Sequence, residues 1–322
     1  MYLYKISGTI FQSNVTLPEL NPLDLGKPEF SFELCKESRR FVKPHWLNHW
    51  YLYDGSVWLS FAKMESGYLL RFPEYADFVV SADGSSIEGY LRKRCPQETM
   101  RHLLLNQVIP IVLSQLGKLV LHASACATPQ GVMAFMGTTG MGKSTLAASF
   151  GLKGFTVITD DCLLVEQQQG SVVGIPSYGG LRLWPESVSA LFEEEPALQS
   201  MAHYTEKKRV LLQQAAADGP LSLRAMYILI QPEHPEKADC VSITPLGPSE
   251  ALFEIVKHTF QLDVTDREKL AQSFRRYEWL VKSVPFFKLA YPRDHAMLPT
   301  VHSTVLNHLY SLADQQTTST SV

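Results

Sequence analysis

Three features that would assign the chain to a particular class of protein are missing from its 322 residues. Basic residues are not in excess, because 29 Lys and Arg stand against 32 Asp and Glu and leave a formal charge of −3, so no overall positive field would attract nucleic acid or an anionic membrane. The most apolar stretch, 108–121, contains Gln115, Gly117 and Lys118 and is shorter than the roughly 20 residues of a membrane-spanning helix. The first residues lack the charged and apolar regions of a secretory signal. We therefore expect a cytoplasmic protein that binds neither nucleic acid nor a membrane.

Paired cysteines are also missing. The five cysteines are odd in number and scattered, and no two of them form a Cys-x-x-Cys pair, so the sequence gives no metal site or redox motif of that kind. Buried free thiols are the expectation for Cys35, Cys95, Cys126, Cys162 and Cys240. Hydrophobic residues at 45% and charged residues at 19% are typical of a globular protein, and the length suits two domains.

The pattern of short apolar runs divides the chain at about residue 95. Residues 1–95 hold alternating, aromatic-rich runs separated by Gly, Pro, Asn and Asp, which predicts a smaller β-rich N-terminal domain that could bind the substrate. From residue 96 a helical pattern leads into a predicted buried strand at 118–127, and strands and helices then alternate, which predicts an α/β domain over 96–312. The polar residues 313–322 predict a flexible tail. The expected elements of the second domain are strands at 132–136, 155–159, 172–175 and 225–230, and helices at 144–152, 250–260, 266–280 and 298–312.

The most specific motif is a glycine-rich loop between a predicted strand and a predicted helix. Residues 137–144 read Gly-Thr-Thr-Gly-Met-Gly-Lys-Ser and fit the phosphate-binding pattern GxxxxGK[ST], the P-loop. Its glycines allow backbone N–H groups to turn inward onto phosphate oxygens, Lys143 would reach the β- and γ-phosphates, and Ser144 would offer a hydroxyl to Mg²⁺. We therefore expect ATP and Mg²⁺ to bind here. The residues expected to contact the nucleotide are Gly137, Thr138, Thr139, Gly140, Met141, Gly142, Lys143, Ser144 and Thr145.

Two adjacent acids follow the next predicted strand. Asp160 and Asp161 stand after the apolar run 155–159, and the end of a strand in an open α/β sheet is where ligands bind. An acid there can hold Mg²⁺ or orient and deprotonate an attacking hydroxyl, and two acids could divide these tasks. His122 follows another apolar run, where the residues alone leave open whether it is catalytic or a hydrogen-bonded core residue.

Taken together, the segments 120–124, 135–148 and 154–161 resemble the catalytic domain of the HPr kinase/phosphorylase family. The spacing agrees as well as the residues, because His122 lies 21 residues before Lys143 and Asp161 lies 18 residues after it, as in that family. The strong resemblance covers about 119–166, and a weaker likeness continues towards residue 300. It implies a P-loop domain of the HPr kinase type.

The resemblance further implies a kinase that uses ATP and Mg²⁺ to phosphorylate a serine hydroxyl of a protein substrate. Asp161 would be the base that takes the serine proton, and His122 would be its neighbour in the site. Asp160 would be an auxiliary acid and a magnesium ligand. Lys143 and Ser144 would contact the nucleotide and the metal.

A further cation is expected near the γ-phosphoryl group, because negative charge spreads over its oxygens in the transition state. The charged segment 206–209 offers Lys207, Lys208 and Arg209, of which Arg209 is the predicted catalytic residue. A charge run that is merely solvated is the alternative interpretation.

The chain departs from the family after the acid pair. The family carries the signature LEIRGxG, whose glutamate binds magnesium, whereas residues 176–186 read Pro-Ser-Tyr-Gly-Gly-Leu-Arg-Leu-Trp-Pro-Glu. Glu186, 25 residues after Asp161, is the expected metal ligand in its place. Because the family's phosphorylase activity relies on details of that signature, it is not carried over. Residues 1–95 do not match the family's own N-terminal domain, so the oligomeric state is not carried over either, and a homo-oligomer is left open.

The layout of the N-terminal domain, the predicted helix at 101–107 and the segment 291–294 also resemble HPr-kinase-like proteins of peptide-modifying systems, which include kinases of lasso-peptide precursors. This second resemblance implies a peptide or small protein carrying a serine as the substrate. A β-rich N-terminal domain could hold such a peptide by adding it as a strand to an exposed sheet edge. Two alternatives remain open. One is a kinase that acts on a small hydroxyl compound, and the other is a nucleotide-dependent switch or binding protein that transfers no phosphate.

Overall fold

The computed structural model describes residues 1–36, 39, 41, 44–52, 54–194, 196–212, 217, 219–234 and 241–319. It has a mixed α/β architecture with several sheets, which confirms the α/β class predicted from the sequence. The chain forms two compact units. The first comprises 1–120, 200–205 and 260–274, and the second comprises 121–199, 206–259 and 275–322.

The first unit is built on a sheet of nine strands within the described residues, in the order β3-β1-β2-β4-β9-β8-β7-β6-β5. Most neighbours are antiparallel, but β4 lies parallel to both β2 and β9. The outer strands β1, β2 and β4 bury every second residue, whereas the strands β6, β7 and β8 bury runs of four or five consecutive residues, so the middle of the sheet is covered on both faces. The strands are β1 (Tyr2–Ile6), β2 (Thr9–Ser13), β3 (Pro22–Leu23), β4 (Phe30–Leu34), β5 (His45–Tyr51), β6 (Val57–Met64), β7 (Gly67–Phe72), β8 (Ala76–Ser81) and β9 (Ser86–Leu91).

A helical segment follows β9, as the pattern from residue 96 predicts. It begins as α1 (Gln97–Leu103), passes through one π-helical turn at Leu104–Val108 and continues as α2 (Ile109–Gln115). Pro110 is the second residue of α2, directly after the π-helical turn, where a residue without an N–H interrupts the regular hydrogen bonding of the helix.

The rest of the chain alternates between strands and helices. The strands are β10 (Leu119–Leu121), β11 (Ser124–Thr128), β12 (Gly131–Met136), β13 (Thr156–Thr159), β14 (Leu163–Gln168), β15 (Ser171–Ile175), β16 (Leu181–Leu183), β17 (Leu198–Ser200), β18 (Lys208–Val210), β19 (Leu221–Ile230), β20 (Ser242–Pro245) and β21 (Phe286–Ala290). The helices are α3 (Lys143–Leu152), α4 (Pro185–Leu191), α5 (Pro248–Lys257), α6 (Arg267–Ser283) and α7 (Leu298–Ser319). None of the helices in the described part of the chain combines the length and the apolar character needed to cross a membrane.

The main sheet of the second unit has a parallel centre. Strand β19 lies parallel to β12 on one side and to β21 on the other. Beyond β12 the order continues through β11 to β13, and β15, β14 and β20 join the sheet with antiparallel pairings. A separate small sheet joins β16, β18 and β17.

Helix α3 is held over this sheet by one buried cluster. The cluster contains Phe135 of β12, Phe150 of α3 and Tyr227 of β19, and the rings of the first two stack with their centroids 5.8 Å apart. Val301, Val305 and Leu309 of α7 belong to the same cluster and repeat at helical spacing. Burial of these apolar surfaces fixes the start of α3 relative to the strand that precedes it.

Three expectations need correction. The predicted strand at 118–127 is two strands, β10 and β11. The strand conformation is interrupted at His122 and Ala123, where the N–H of His122 donates to the carbonyl of His258 at 2.7 Å. Helix α7 continues to Ser319, beyond its predicted end at 312. The four cysteines among the described residues are free thiols, but only Cys126 is fully buried, since Cys35, Cys95 and Cys162 are half-buried, while Cys240 lies outside the described residues.

Candidate active site

Strand direction brings three predicted segments to one edge of the main sheet. Because β11 is antiparallel to both β12 and β13, the last two run the same way, and their carboxyl ends meet the amino end of β11. The glycine-rich loop follows β12, the acid pair follows β13, and His122 lies just before β11. This edge is where an open α/β sheet binds ligands.

The glycine-rich loop has the context that the motif requires, a strand before it and a helix after it. Gly137, Gly140 and Gly142 all have positive φ, at 147°, 86° and 90°, a region that residues with a Cβ rarely occupy. The loop tip, Thr138 to Gly140, is exposed. The glycines therefore allow a curled backbone whose tip faces solvent.

Lys143 is the first residue of α3 and is only 7% exposed. Its Nζ donates to the carbonyl oxygen of Gly137 at 2.8 Å and to that of Thr138 at 3.4 Å. Burial lowers the pKa of this amine, while the charges of Asp161 and Asp160 raise it. The amine thus lies within the loop and within electrostatic range of the acid pair.

The start of α3 fits an anionic ligand. Its N-cap is Gly142, which offers no side-chain cap, and the first helical bond runs from the N–H of Leu146 to the carbonyl of Gly142. The N–H groups of Lys143, Ser144 and Thr145 precede that bond, so the helix itself leaves them without an acceptor. Unused donors, the positive end of the helix dipole and a buried ammonium group together suit phosphate oxygens.

Asp161 occupies an unusual backbone conformation, with φ of +82°. Its side chain is 27% exposed and has two cationic or polar neighbours. Oδ1 lies 2.7 Å from Nε2 of His122, and Oδ2 lies 3.4 Å from Nη1 of Arg182. A non-glycine residue held at positive φ needs support from its surroundings, and here that support comes from both oxygens.

The carboxyl of Asp161 is held in its ionised form. Burial favours the neutral acid, but the Arg182 guanidinium and then His122 outweigh it and hold the pKa of Asp161 well below its usual range. An ionised carboxylate can only accept hydrogen bonds. Nε2 of His122 therefore carries the hydrogen and donates a hydrogen bond to Oδ1 of Asp161. His122 remains 33% exposed, so the pair is accessible from solvent.

Asp160, unlike Asp161, is enclosed by the protein. Its side chain is 1% exposed, and both oxygens accept hydrogen bonds. Ser124 Oγ donates to Oδ1 at 2.7 Å, and the backbone N–H of Arg182 donates to Oδ2 at 2.8 Å. The Nε of Arg182 also lies 3.4 Å from Oδ2. Asp160 therefore ties the start of β11, the end of β13 and β16 together.

Arg182 is the residue that sequence reasoning missed. It lies in β16, is 9% exposed and contacts both Asp160 and Asp161. The two carboxylates raise the pKa of Arg182 against the effect of its burial, so it is a fixed positive charge between them. One signal was available in the sequence: a single arginine between two leucines, Leu181 and Leu183, in the segment where the metal-binding signature was expected.

The charged segment 206–209 lies beside this cluster. Arg209 belongs to β18 and pairs in register with Arg182 of β16. Its Nη2 donates to the carbonyl of Gly179 at 2.6 Å, and its guanidinium lies 5.3 Å from the ring centroid of Tyr178. Lys207 lies near enough for its charge to lower the pKa values of both Asp161 and Lys143. Lys208, also in β18, pairs in register with Leu183.

Two of the three predicted metal ligands, Ser144 and Glu186, lie on neighbouring helices, whereas Asp160 follows β13. Thr145 Oγ1 and Ser187 Oγ are 3.0 Å apart, which brings the first turn of α4, with the exposed Glu186, next to the first turn of α3, with Ser144. The described residues contain no group of three or more His, Cys, Asp or Glu side chains that could hold a metal ion. Magnesium at nucleotide sites needs no such group, because phosphates and water supply most of its ligands.

Comparisons with known proteins add a distant likeness in structure. No known family model and no curated protein matches the sequence. Among solved structures, the chain is similar to the structure of the Hpr(Ser) kinase/phosphatase from Coxiella burnetii, with 11% sequence identity and a TM-score of 0.35, over 62% of this chain and 95% of that chain. A TM-score of this size carries no argument, so the function is inferred from the geometry of the site.

Proposed function

We propose that this protein is a kinase of the HPr kinase type, which transfers the γ-phosphoryl group of ATP to a serine hydroxyl of a peptide or small protein in the cytoplasm. Its catalytic site is the sheet edge of the second unit, inside the predicted domain 96–312. The loop 137–145 holds the triphosphate, with the N–H groups at the start of α3 and the Lys143 ammonium as donors.

One observation carries the proposal: the carboxylate of Asp161, held by His122 and Arg182, lies within electrostatic range of the loop lysine. A phosphate loop alone would fit many nucleotide-binding proteins. An ionised acid, partly exposed and fixed on both oxygens, adds the group that orients an attacking hydroxyl. The combination supports phosphoryl transfer over simple nucleotide binding.

The low pKa of Asp161 makes it a weak base, and the proposed reaction tolerates this. In a loose transition state the bond to the attacking oxygen forms late, so the hydroxyl loses its proton late as well. Asp161 accepts a hydrogen bond from the serine hydroxyl, aims the hydroxyl oxygen at the phosphorus, and takes the proton as the new O–P bond forms and the bond from phosphorus to the ADP oxygen breaks. His122 keeps the carboxylate oriented, and Lys143 neutralises charge on the phosphates.

Magnesium, when bound with the nucleotide, would neutralise negative charge on the β- and γ-phosphates. Ser144 and Glu186 are the protein groups proposed to hold it, since their helices begin side by side. Asp160 is a weaker candidate than the sequence predicts, because both of its oxygens are already used by Ser124 and Arg182. We assign Asp160 a positioning role.

We assign the further positive charge near the γ-phosphoryl group to Lys207 in preference to Arg209. Lys207 is close enough to influence both Lys143 and Asp161, whereas the head group of Arg209 is directed to Gly179 and Tyr178. Arg209 then stabilises the position of β16, the strand that carries Arg182. This changes the predicted role of Arg209 from direct to indirect.

The acceptor is tested by transfer of radioactive phosphate from γ-labelled ATP. The acceptors are serine-containing peptides, the same peptides with serine replaced by alanine, and free hydroxy amino acids. The proposal expects label on serine peptides only. Label confined to free hydroxy compounds would replace the peptide kinase with a small-molecule kinase.

A switch that binds nucleotide without transfer is tested with Asp161→Asn. Asparagine tolerates positive φ nearly as well as aspartate, so the exchange removes the charge and keeps the backbone. We expect turnover to fall by about 10²-fold or more while ATP affinity is retained. The matched control is Asp24→Asn, at an exposed aspartate between β3 and β4. Turnover that is unchanged in Asp161→Asn would contradict the catalytic role.

A further inference from the structure

A second concave surface adjoins the loop on the side away from the acid pair's strand. One wall comes from the end of the loop and the start of α3, with Met141 and Thr145. The other comes from the segment after β21, with Tyr291, Arg293 and His295, and Ser187 of α4 contributes as well. Because β21 and β12 are both parallel to β19, this segment and the loop leave the sheet at the same edge.

The loop has a polarity that decides which part of a nucleotide lies in this cleft. In phosphate loops the lysine reaches the β- and γ-phosphates, and the backbone around it cradles the α- and β-phosphates. Here Lys143 points back to the carbonyls of Gly137 and Thr138, in the first half of the loop. The cleft lies against the second half, at Met141 and Thr145. The α-phosphate end, and the nucleoside beyond it, therefore face the cleft.

The walls combine apolar, hydroxyl and planar cationic groups. Tyr291 is buried beside the loop: a Cβ on Gly142 would lie 3.3 Å from its hydroxyl oxygen, and burial raises the pKa of Tyr291 to about 12. Arg293 and His295 are exposed at the mouth, where flat side chains can stack on a base. Asp294 accepts a hydrogen bond from the N–H of Ala296 at 2.9 Å and so fixes the turn that carries them.

We propose that this cleft binds the ribose and base of the nucleoside triphosphate, with Arg293 and His295 stacking on the base and Met141 forming an apolar side. This inference rests on the proposed kinase function, in which ATP binds at the loop. It adds the residues that would contact the nucleoside and so favour a nucleotide over a bare phosphate chain. The triphosphate group itself is held by the loop, so the two parts of the ligand can be tested separately.

The test uses the full chain and isothermal titration calorimetry with Mg²⁺ present. Two ligands are compared, ATP and inorganic tripolyphosphate, which carries the phosphate chain without a nucleoside. The variant is Arg293→Ala combined with His295→Ala. Both side chains are exposed, and a thermal melt checks that the fold is kept. Arg275→Ala, which removes an exposed arginine of α6, is the charge-matched control.

We expect ATP to bind about tenfold more weakly to the double variant, because lost stacking is of that size, while tripolyphosphate affinity stays within about twofold. The control should match the unaltered chain for both ligands. An equal loss for ATP and tripolyphosphate would show that the cations bind phosphate and would overturn the proposal, as would no loss for either ligand. If the unaltered chain binds ATP but transfers no phosphate to any acceptor, the kinase function fails and the nucleoside site still stands.

Discussion

Nε2 of His122 lies 2.7 Å from Oδ1 of Asp161, although 39 positions separate the two residues in the sequence. The contact forms because the amino end of β11 and the carboxyl end of β13 meet at one edge of the sheet. It joins an imidazole and a carboxylate into a single hydrogen-bonded pair beside the glycine-rich loop. Removing either partner should therefore have a defined effect on turnover.

Replacement of His122 separates the role of its hydrogen bond from that of its ring. In His122→Gln the side-chain amide can still donate to Asp161, so we expect turnover within a few-fold of the unaltered protein. In His122→Ala the carboxylate loses that support and misorients, with an expected loss of about 10²-fold. Steady-state rates measure both variants, and His45→Ala, at an exposed histidine of β5, is the control. Equal losses in the two variants would assign the ring a further role.

Removal of Arg182 should destabilise the fold. Arg182→Met leaves the enclosed Asp160 and the half-enclosed Asp161 without their shared cation, and breaking a buried ion pair costs about 3–5 kcal/mol of unfolding free energy. Urea denaturation at neutral pH measures the loss. Adding Asp160→Asn to this variant removes one uncompensated charge and should restore part of the lost unfolding free energy. Arg275→Met is the matched control, and a loss no larger than in this control would contradict the central position of Arg182.

Glu186 should matter for magnesium and little for stability. In Glu186→Gln we expect the Mg²⁺ concentration for half-maximal turnover to rise about tenfold, because one ligand oxygen loses its charge. Glu193→Gln, at an exposed glutamate just after α4, is the control and should leave the magnesium titration unchanged. A titration curve for Glu186→Gln that overlays the control would remove Glu186 from the metal site.

Gly142 and Gly154 form a matched pair, since both have φ of +90°. Alanine at either position costs about 1–2 kcal/mol of stability from the left-handed backbone. Only at Gly142 would the new Cβ lie near another group, 3.3 Å from the hydroxyl of Tyr291, and only there does the backbone contact phosphate in the proposed site. Both variants should lose similar stability by thermal denaturation, and only Gly142→Ala should lose ATP affinity. Equal ATP affinity in the two variants would contradict the assigned loop.

His302 should make stability depend on pH. Its ring is buried against Phe150 with Nε2 2.8 Å from Ser149 Oγ, and burial lowers its pKa from 6.5 to about 4. Between these values the unfolded chain binds a proton that the folded chain does not, so the free energy of unfolding falls as pH falls, by about 1.4 kcal/mol per pH unit. His302→Gln should reduce the slope by about that amount, measured by urea denaturation from pH 7.5 to 4.5, while His258, whose pKa burial also lowers to about 4, keeps its own contribution. His45→Gln is the control, and an unchanged slope in His302→Gln would show that the ring titrates normally.

The local elements of the site follow from the sequence, because their signals lie within a few residues of one another. A short apolar run, a glycine-rich loop and a helical pattern predict β12, the loop and α3, and the structure has these elements at those positions. The grouping of His122, Lys143 and Asp161 comes from the resemblance to the HPr kinase/phosphorylase family, since the residues alone leave the role of His122 open. Each of these residues stands at the end of a strand or the start of a helix, where sequence patterns change.

The contacts between distant segments do not follow from the sequence. Arg182 pairs with both acids only because β16 folds against the end of β13, and no local pattern encodes that approach. Adjacent acids look alike in the sequence, yet Asp160 is enclosed and Asp161 is partly exposed. Asp161 has a positive φ, which no sequence pattern predicts for an aspartate. The residues alone therefore could not divide the roles between the two acids; the family resemblance supplied the division, and the fold gives a physical reason for it. The parallel placement of β4 between β2 and β9 is likewise a matter of distant contacts.

The left-handed backbone at position 161 limits which side chains selection can accept there. Glycine, asparagine and aspartate adopt this conformation readily, and of these three only aspartate carries a charge. A library that randomises this codon and is screened for folding alone should return all three, whereas a screen for turnover should return aspartate alone. Glutamate, the usual conservative exchange, should be depleted from the folding pool by the cost of that backbone and absent from the turnover pool.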